Sequence, residues 1–180
     1  MSEKPKLIVP LTKSPHSGRS ESLNEQDWYK GLQKALEIFE PGDKILIISD
    51  VQIAGEKHEA DIYFDTLINL GADASNIETI RAGEETVGQI HVADREATQR
   101  DIKLVFIVTA THYSRVKWIV WFDNIDAVVI KVGGLPRKSE RLTDFILTFL
   151  FPIIDILSLR STFLKKVIEK RSEGKFRLFK

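Results

Sequence analysis

Cysteine is absent from the 180-residue chain, which excludes disulfide bonds, cysteine-ligated zinc, iron–sulfur clusters and thiol catalysis. Neither sign of charge is in excess, because 26 Lys and Arg residues balance 26 Asp and Glu residues. A chain-wide nucleic-acid binder is normally basic, so this balance argues against nucleic acid as a partner. The sequence also lacks a Walker lysine motif and a G-x-G-x-x-G fingerprint, which leaves P-loop and ordinary dinucleotide sites without support.

Long apolar segments are missing too. The polar residues 1–6 contain no apolar core of a signal peptide, so we expect a cytoplasmic protein. The most apolar stretch, residues 140–158, is interrupted by Asp144, Pro152 and Asp155. A transmembrane helix needs ~20 apolar residues. We therefore expect no membrane span here, but a pair of packed helices that breaks near Pro152.

Short apolar runs alternate with segments of helical spacing along the first three quarters of the chain. The predicted strands are residues 7–9, 44–49, 76–80, 103–109 and 125–132, and the predicted helices are 23–39, 56–70, 86–100 and 112–122. This order predicts an α/β fold, a Rossmann-like three-layer sandwich with about five parallel strands and helices on both faces. We expect one domain over residues 1–180, with a sheet core (1–135), C-terminal helices (139–171) and a basic tail (172–180).

Two helix ends carry local signals. Gly71 follows the second predicted helix at the position where a left-handed C-terminal cap belongs. Thr86 precedes the third, and Gln89 three residues later would complete a capping box, which predicts Thr86 as the N-cap residue.

Charge is unevenly distributed. The segment 50–100 has 11 acidic and 4 basic residues, whereas the segment 156–180 has 8 basic and 2 acidic residues. A solvated C-terminal helix and tail would explain the basic end. Two alternatives stay open, namely peripheral contact with anionic lipid and a homodimer in which the basic end meets the acidic segment of a second copy.

Ligands of open α/β sheets bind at the carboxyl ends of the strands, so the residues after each predicted strand are the candidates for a site. As ligand-binding side chains this rule selects Thr12, Ser49, Thr86, Thr109, Thr111 and Arg115, and as catalytic side chains His112 and Glu59. Hydroxyls, helix amides and a guanidinium bind phosphate or carboxylate, and histidine titrates near neutral pH.

Each candidate also has a structural interpretation. His112 would simply cap a helix, Arg115 would pair with a surface carboxylate, and Glu59 would be a solvated helix residue. The four histidines have no metal-ligand spacing, and His58-Glu59 lacks the second histidine of H-E-x-x-H, so no metal site is predicted.

Three segments are similar to segments of one bacterial family. They are His58-Glu59-Ala60 ahead of a helix that ends in LGA, residues 84–89 (EETVGQ) and residues 108–115 (VTATHYSR). In order and spacing they resemble the E-A helix, the N-T-x-E-N loop and the V-T-(S/D)-x-(F/Y)-H-x-x-R segment of the YdcF/SanA/ElyC-like family. The resemblance covers residues 44–120, and the fold it implies is Rossmann-like.

This resemblance implies that Glu59, Thr86, His112 and Arg115 line a polar cleft. It further implies S-adenosylmethionine or a nucleotide as the cofactor or ligand, and a role in envelope-related metabolism. The chain departs from the family where residues 11–14 (LTKS) and 49–51 (SDV) replace glycine-rich loops, and both Asn residues of the third loop are missing. A backbone without these glycines approaches a ligand less freely.

Three functions remain open from the sequence. The first is an enzyme that acts on a nucleotide-like or phosphorylated small molecule. The second is a non-catalytic sensor that binds the same ligand. The third is a scaffold or membrane-peripheral protein that acts through its apolar and basic C-terminal helices.

Overall fold

The computed structural model of the chain describes residues 4–11, 22–51, 57–83, 85–133 and 138–172, with the side chains of 145–166 in the last range. Contacts divide the chain into two compact units, Met1–Leu135 and Pro136–Lys180. The first unit contains the sheet, and the second contains two helices.

Five strands form one sheet in which every neighbouring pair is parallel. They are β1 (Lys6–Leu11), β2 (Lys44–Ile48), β3 (Ile77–Ile80), β4 (Lys103–Thr109) and β5 (Ala127–Val132). Their order across the sheet is β3-β2-β1-β4-β5. The expected α/β fold with five parallel strands is therefore confirmed.

Strand β1 extends beyond the predicted residues 7–9 and includes Pro10. Proline has no N–H to donate, which normally keeps it out of central strands. Here β1 pairs with β4 along its whole length, but its pairing with β2 stops at Ile8. Pro10 is tolerated because it lies beyond the β2 ladder.

Four helices cover the two faces of the sheet, namely α1 (Asp27–Glu37), α2 (Glu59–Asn69), α3 (Thr86–Arg100) and α4 (Tyr113–Phe122). The second unit contains α5 (Lys138–Ile156) and α6 (Arg160–Ser172), and short 3₁₀ helices lie at Leu23–Glu25 and Ala74–Asn76. Helix α1 packs against α2, and α3 packs against α4. Right-handed crossovers place α1 and α2 on one face and α3 and α4 on the other.

The core on the α1/α2 face contains alternate strand residues, including Ile8, Ile45, Ile47, Val105 and Ile107. Their strand neighbours point to the other face because successive side chains alternate. Those neighbours, such as Leu46 and Phe106, are also fully buried. Burial on both faces explains why β2 and β4 read as continuous apolar runs.

Helix α2 ends at Gly71, as the sequence predicts. Gly71 has φ +98°, and its N–H donates to the carbonyl of Ile68 while Ala72 N–H donates to Leu67. This pair of bonds is a Schellman motif, which satisfies two carbonyls that a helix end leaves open.

The N-cap residue of α3 is Glu85, so the prediction of Thr86 as the cap is wrong. The Glu85 backbone is extended, and its carboxylate oxygens accept hydrogen bonds from Val87 N–H (2.7 Å) and Gly88 N–H (2.6 Å). A Cβ at Gly88 would come within 2.9 Å of Oε1 of Glu85. Glycine at this position lets the longer Glu85 side chain fold over the helix end, and Thr86 becomes the first helical residue.

In the second unit, α5 continues through Pro152, so the predicted break there is wrong. A proline inside a helix removes one backbone donor and crowds the carbonyl four residues earlier, yet α5 continues for another turn to Ile156. The break occurs at Ser158, which has φ +55°. Ser158 N–H donates to Asp155 and Leu159 N–H to Ile154, the Schellman pattern again.

Asp155 and Arg160 join the two helices of this unit. Arg160 donates to both oxygens of the buried Asp155 carboxylate, at 2.6 and 2.7 Å. Within the described residues, no helix is both long and apolar enough to cross a membrane.

Candidate functional site

The strand order creates one topological switch point. From β1 the chain moves outward to β2 and β3, then returns to the other side of β1 for β4 and β5. The connections that follow β1 and β4 therefore diverge, and α/β proteins bind ligands in the crevice at such a point. Candidate side chains after β2 and β4 flank the carboxyl end of β1 from its two sides.

Glu59, the first residue of α2, carries a buried carboxyl group beside the end of β2. Its Oε2 accepts a hydrogen bond from the Ser49 hydroxyl at 2.5 Å, and its Oε1 accepts one from the Tyr63 hydroxyl at 3.1 Å. Both donors are neutral. Because each carboxylate oxygen has two acceptor positions, each oxygen keeps one position that these bonds do not use.

The Ser49 hydroxyl both donates and accepts a hydrogen bond. It donates to Glu59 and accepts from the N–H of Val51 at 3.2 Å. The backbone N–H of Glu59 in turn donates to the carbonyl of Val51. Ser49 therefore orients Glu59, and a ligand would meet the carboxylate before it meets the serine.

Tyr63 is held by a ring from another helix. The Trp28 ring, near the start of α1, stacks on the Tyr63 ring with centroids 5.8 Å apart and planes 10° apart. The Trp28 Nε1–H donates to Oε1 of Gln26 at 2.7 Å. This packing fixes the Tyr63 hydroxyl toward Glu59.

His58 precedes Glu59 as the N-cap residue of α2, and its side chain makes no capping bond. Its Nδ1 is buried and has no hydrogen-bond partner among the described residues. A buried polar atom without a partner costs free energy. His58 is thus a further polar group beside Glu59 that the sequence-based selection left out.

The end of β4 carries the second group of candidates. Thr109 is fully buried, and its hydroxyl oxygen lies 3.3 Å from that of Thr111. His112 N–H donates to the carbonyl of Thr109, which closes the turn before α4. His112 is half-buried at the N-cap position and makes no side-chain capping bond.

Arg115 lies in the first turn of α4 and is only 7% exposed. It shares the sheet-facing side of the helix with Val116 and Ile119, which are fully buried. Arg115 is therefore not a solvated surface residue. The guanidinium thus lies near the N-terminus of a helix, at the carboxyl edge of the sheet.

The predicted site residues do not all come together. Adjacent strands are about 4.8 Å apart, so the ends of β2 and β4, on either side of β1, are separated by about 10 Å. Ser49 and Glu59 form one group, and Thr109, Thr111, His112 and Arg115 form the other. Thr86 follows β3, one strand further out, and Thr12 lies outside the described residues.

Tyr63 and Trp28 complete the Glu59 group but were not selected from the sequence. The signal for Tyr63 is its position four residues after Glu59, which places the two on one helix face. Trp28 is 35 positions from Tyr63, and no local pattern links them. Among the described residues, no three His, Asp or Glu side chains are grouped so that they could hold a metal ion.

No model of a known protein family matches the sequence, and no curated protein matches it. The resemblance to the YdcF/SanA/ElyC-like family stays a prediction. Function must therefore be inferred from the site.

Proposed function

We propose that the protein binds an anionic small molecule, nucleotide-like or phosphorylated, at the carboxyl edge of the sheet. One observation carries the proposal. A buried carboxyl group, Glu59 (4% exposed), and a buried guanidinium, Arg115 (7% exposed), lie in the first turns of helices on opposite faces of the sheet, at the two sides of its switch point. Buried polar and charged side chains at a strand edge are common at binding sites.

The β4 group supplies the anion-binding half. Arg115 contributes positive charge, the Thr111 hydroxyl beside the buried Thr109 contributes a donor, and the first amides of α4 face the same edge. A phosphate or carboxylate is the group that these donors select.

The β2 group supplies the polar half. The Glu59 oxygens retain acceptor positions for ligand hydroxyls, such as those of a ribose, or for a water molecule. A ligand with an anionic group about 10 Å from a hydroxylated group would use both halves. S-adenosylmethionine and nucleotides have this shape, in agreement with the family resemblance.

His112 is the candidate for acid–base chemistry, because it is half-buried between Thr111 and α4 and imidazole titrates near neutral pH. If the site is catalytic, His112 exchanges a proton with the bound anionic group. The resemblance would then direct the reaction to envelope-related metabolism. If it is not catalytic, the same site is a sensor.

A thermal-unfolding panel tests the proposal. The ligands are S-adenosylmethionine, ATP, a sugar nucleotide and inorganic phosphate, and the proteins are the wild type, Glu59→Gln, His112→Ala and the matched control His91→Ala on α3. A ligand at 100 times its Kd stabilises by about 2.7 kcal/mol, which raises Tm by roughly 5–10 °C in a chain of this size.

We expect one ligand to raise Tm in the wild type and in His91→Ala, and to have a smaller effect in Glu59→Gln and His112→Ala. No shift with any ligand, or equal shifts in all four proteins, would overturn the proposal. Product analysis with the same ligand then separates an enzyme from a sensor, because only an enzyme forms a product that is lost in His112→Ala.

A second candidate function rests on α5. Phe145, Phe149, Ile153 and Ile156 repeat at spacings of four, four and three residues, and each is more than half exposed. We call these four residues the α5 stripe. The following helix exposes Lys165 and Lys166, and the segment 156–180 has a net charge of +6. Apolar side chains beside a basic segment are typical of helices that lie on anionic membranes.

The occupant that this charge favours is an anionic lipid bilayer, which would make the protein peripheral to a membrane. Co-sedimentation with vesicles of phosphatidylcholine, with and without phosphatidylserine, tests this with Phe149→Glu, Ile153→Glu and the exposed control Leu23→Glu. We expect serine-lipid-dependent binding that only the two α5 variants lose. If the wild type does not bind these vesicles, the membrane function is refuted. It is also refuted if the wild type is a dimer that Phe149→Glu converts to a monomer, because the α5 stripe would then contact a second copy of the chain.

A further inference from the structure

A groove of about 430 Å³ runs along the outer edge of the sheet, between α4 and the edge strand β5. It is lined by Tyr113, Lys117, Val120, Trp121, Asn124, Ile125, Ala127 and Val129. Its volume lies within the usual range for small-molecule sites.

The groove is separate from the Glu59 group. Ala127 and Val129 pair with Leu104 and Phe106 of β4, whose side chains point to the α3/α4 face. The Glu59 group lies on the opposite face, with α1 and α2. The groove is therefore not part of the site formed by the Glu59 group.

The buried residues that line the groove are apolar, and an exposed indole ring forms one of its sides. Val120 and Ile125 are buried in the floor, whereas Trp121 is 70% exposed at the rim. The Trp121 ring contacts the Trp118 ring, with centroids 5.0 Å apart and planes 50° apart. Tryptophan is enriched at interfaces, because its ring is apolar and its N–H is polar.

The Tyr113 end of the groove is positive. The ammonium groups of Lys117 and Lys131 each lie 5.7 Å from the centre of the Tyr113 ring. Throughout the described parts of the chain, neither lysine is within ion-pair distance of a carboxylate. Both ammonium groups are positive, and an anion bound near this end of the groove would be attracted to each of them.

We propose that this groove binds a small amphipathic anion, an aryl carboxylate, sulfonate or phosphate. The aromatic body lies over Val120, Ile125 and Val129 and against the Trp121 indole. The anionic group lies at the Tyr113 end, where the ammonium groups of Lys117 and Lys131 attract it. The proposal is independent of the function proposed for the switch-point site.

Two fluorescent probes test the proposal. Anilinonaphthalenesulfonate has an aromatic body and an anionic group, and phenylnaphthylamine has a similar body without the charge. Titrations use the wild type, the double variant Lys117→Gln/Lys131→Gln, the variant Trp121→Ala, and Lys165→Gln/Lys166→Gln as a matched control. Circular dichroism establishes that each variant is folded.

We expect the Lys117/Lys131 variant to bind the sulfonate at least tenfold more weakly, because two charge-assisted contacts are lost. Its affinity for the neutral probe should not change, and Trp121→Ala should weaken both probes. The control pair should bind both probes as the wild type does. Equal sulfonate affinity in the wild type and the Lys117/Lys131 variant would overturn the proposal, as would an equal loss in the control pair.

Discussion

Ser49 and Glu59, ten positions apart, are joined by a hydrogen bond of 2.5 Å from the serine hydroxyl to Oε2 of the carboxyl group. The bond links the end of β2 to the first residue of α2. With the Tyr63 hydroxyl on Oε1, it orients the buried carboxyl group through two neutral donors.

Ser49→Ala should lower the free energy of unfolding by about 1–3 kcal/mol, because one buried carboxylate oxygen loses its donor. Tyr63→Phe should have a similar cost while keeping the ring that stacks on Trp28. Urea denaturation followed by circular dichroism measures both. The exposed Ser114→Ala serves as the control and should change stability by no more than about 0.5 kcal/mol. A Ser49→Ala protein as stable as this control would mean that the 2.5 Å bond contributes nothing.

Glu85→Ala should cost about 1 kcal/mol, because two backbone amides of α3 lose their acceptor. Thr86→Ala should cost much less, since Thr86 is already inside the helix. The two variants differ by one position in the chain and can be compared by chemical denaturation under one set of conditions. A larger loss for Thr86→Ala would restore the sequence-based assignment of the cap.

Gly83→Ala should destabilise the protein more than Gly42→Ala. Both residues have positive φ, +71° and +99°, which costs a residue with a side chain about 1–2 kcal/mol. Only at Gly83 would the added Cβ also meet backbone, the Gln89 nitrogen at 2.8 Å, whereas nothing lies within 4 Å at Gly42. Equal midpoints of thermal unfolding for the two variants would show that the protein accommodates the added Cβ at Gly83 without an extra loss of stability.

Arg160→Ala should cost about 3–5 kcal/mol, because it removes the guanidinium from a carboxylate that is fully buried. Arg100→Ala is the comparison, since Arg100 pairs with Glu78 and Glu96 at the surface and its removal should cost about 0–1 kcal/mol. The double variant Asp155→Leu/Arg160→Met should recover most of the stability. If the two single arginine variants unfold at the same denaturant concentration, the Asp155–Arg160 pair is not a buried ion pair in solution.

Asp73→Asn should lower the free energy of unfolding at neutral pH but not at acidic pH. The N–H of Ser75 donates to the Asp73 carboxylate and holds its pKa below the usual value. A carboxyl group whose pKa is lower in the folded state stabilises above its unfolded pKa of ~4, and this contribution disappears as pH falls through the folded value. The difference in unfolding free energy between the wild type and the variant should therefore shrink from pH 7 to pH 3. A difference that grows toward low pH would contradict the sign of the shift.

The sequence was sufficient to predict the elements of the fold, because β2 and β4 are buried on both faces and read as unbroken apolar runs. It did not predict the strand order, which depends on where each crossover returns to the sheet rather than on local pattern. The ends of β2 and β4 were located correctly, yet Trp28 and Tyr63 come together only through the packing of α1 against α2. The cap of α3 was misassigned because Gly88, which makes room for the Glu85 side chain, carries no signal of its own.

Three helices end on residues that are not glycine but have positive φ, namely Asp101, Asn124 and Ser158. Glycine at any of them would remove a steric cost that only a side chain incurs. Glycine at these three exposed turns should therefore raise the thermal stability of the protein. A background that carries these glycines would keep variants of the buried polar groups folded, so that a loss of binding could be distinguished from a loss of structure.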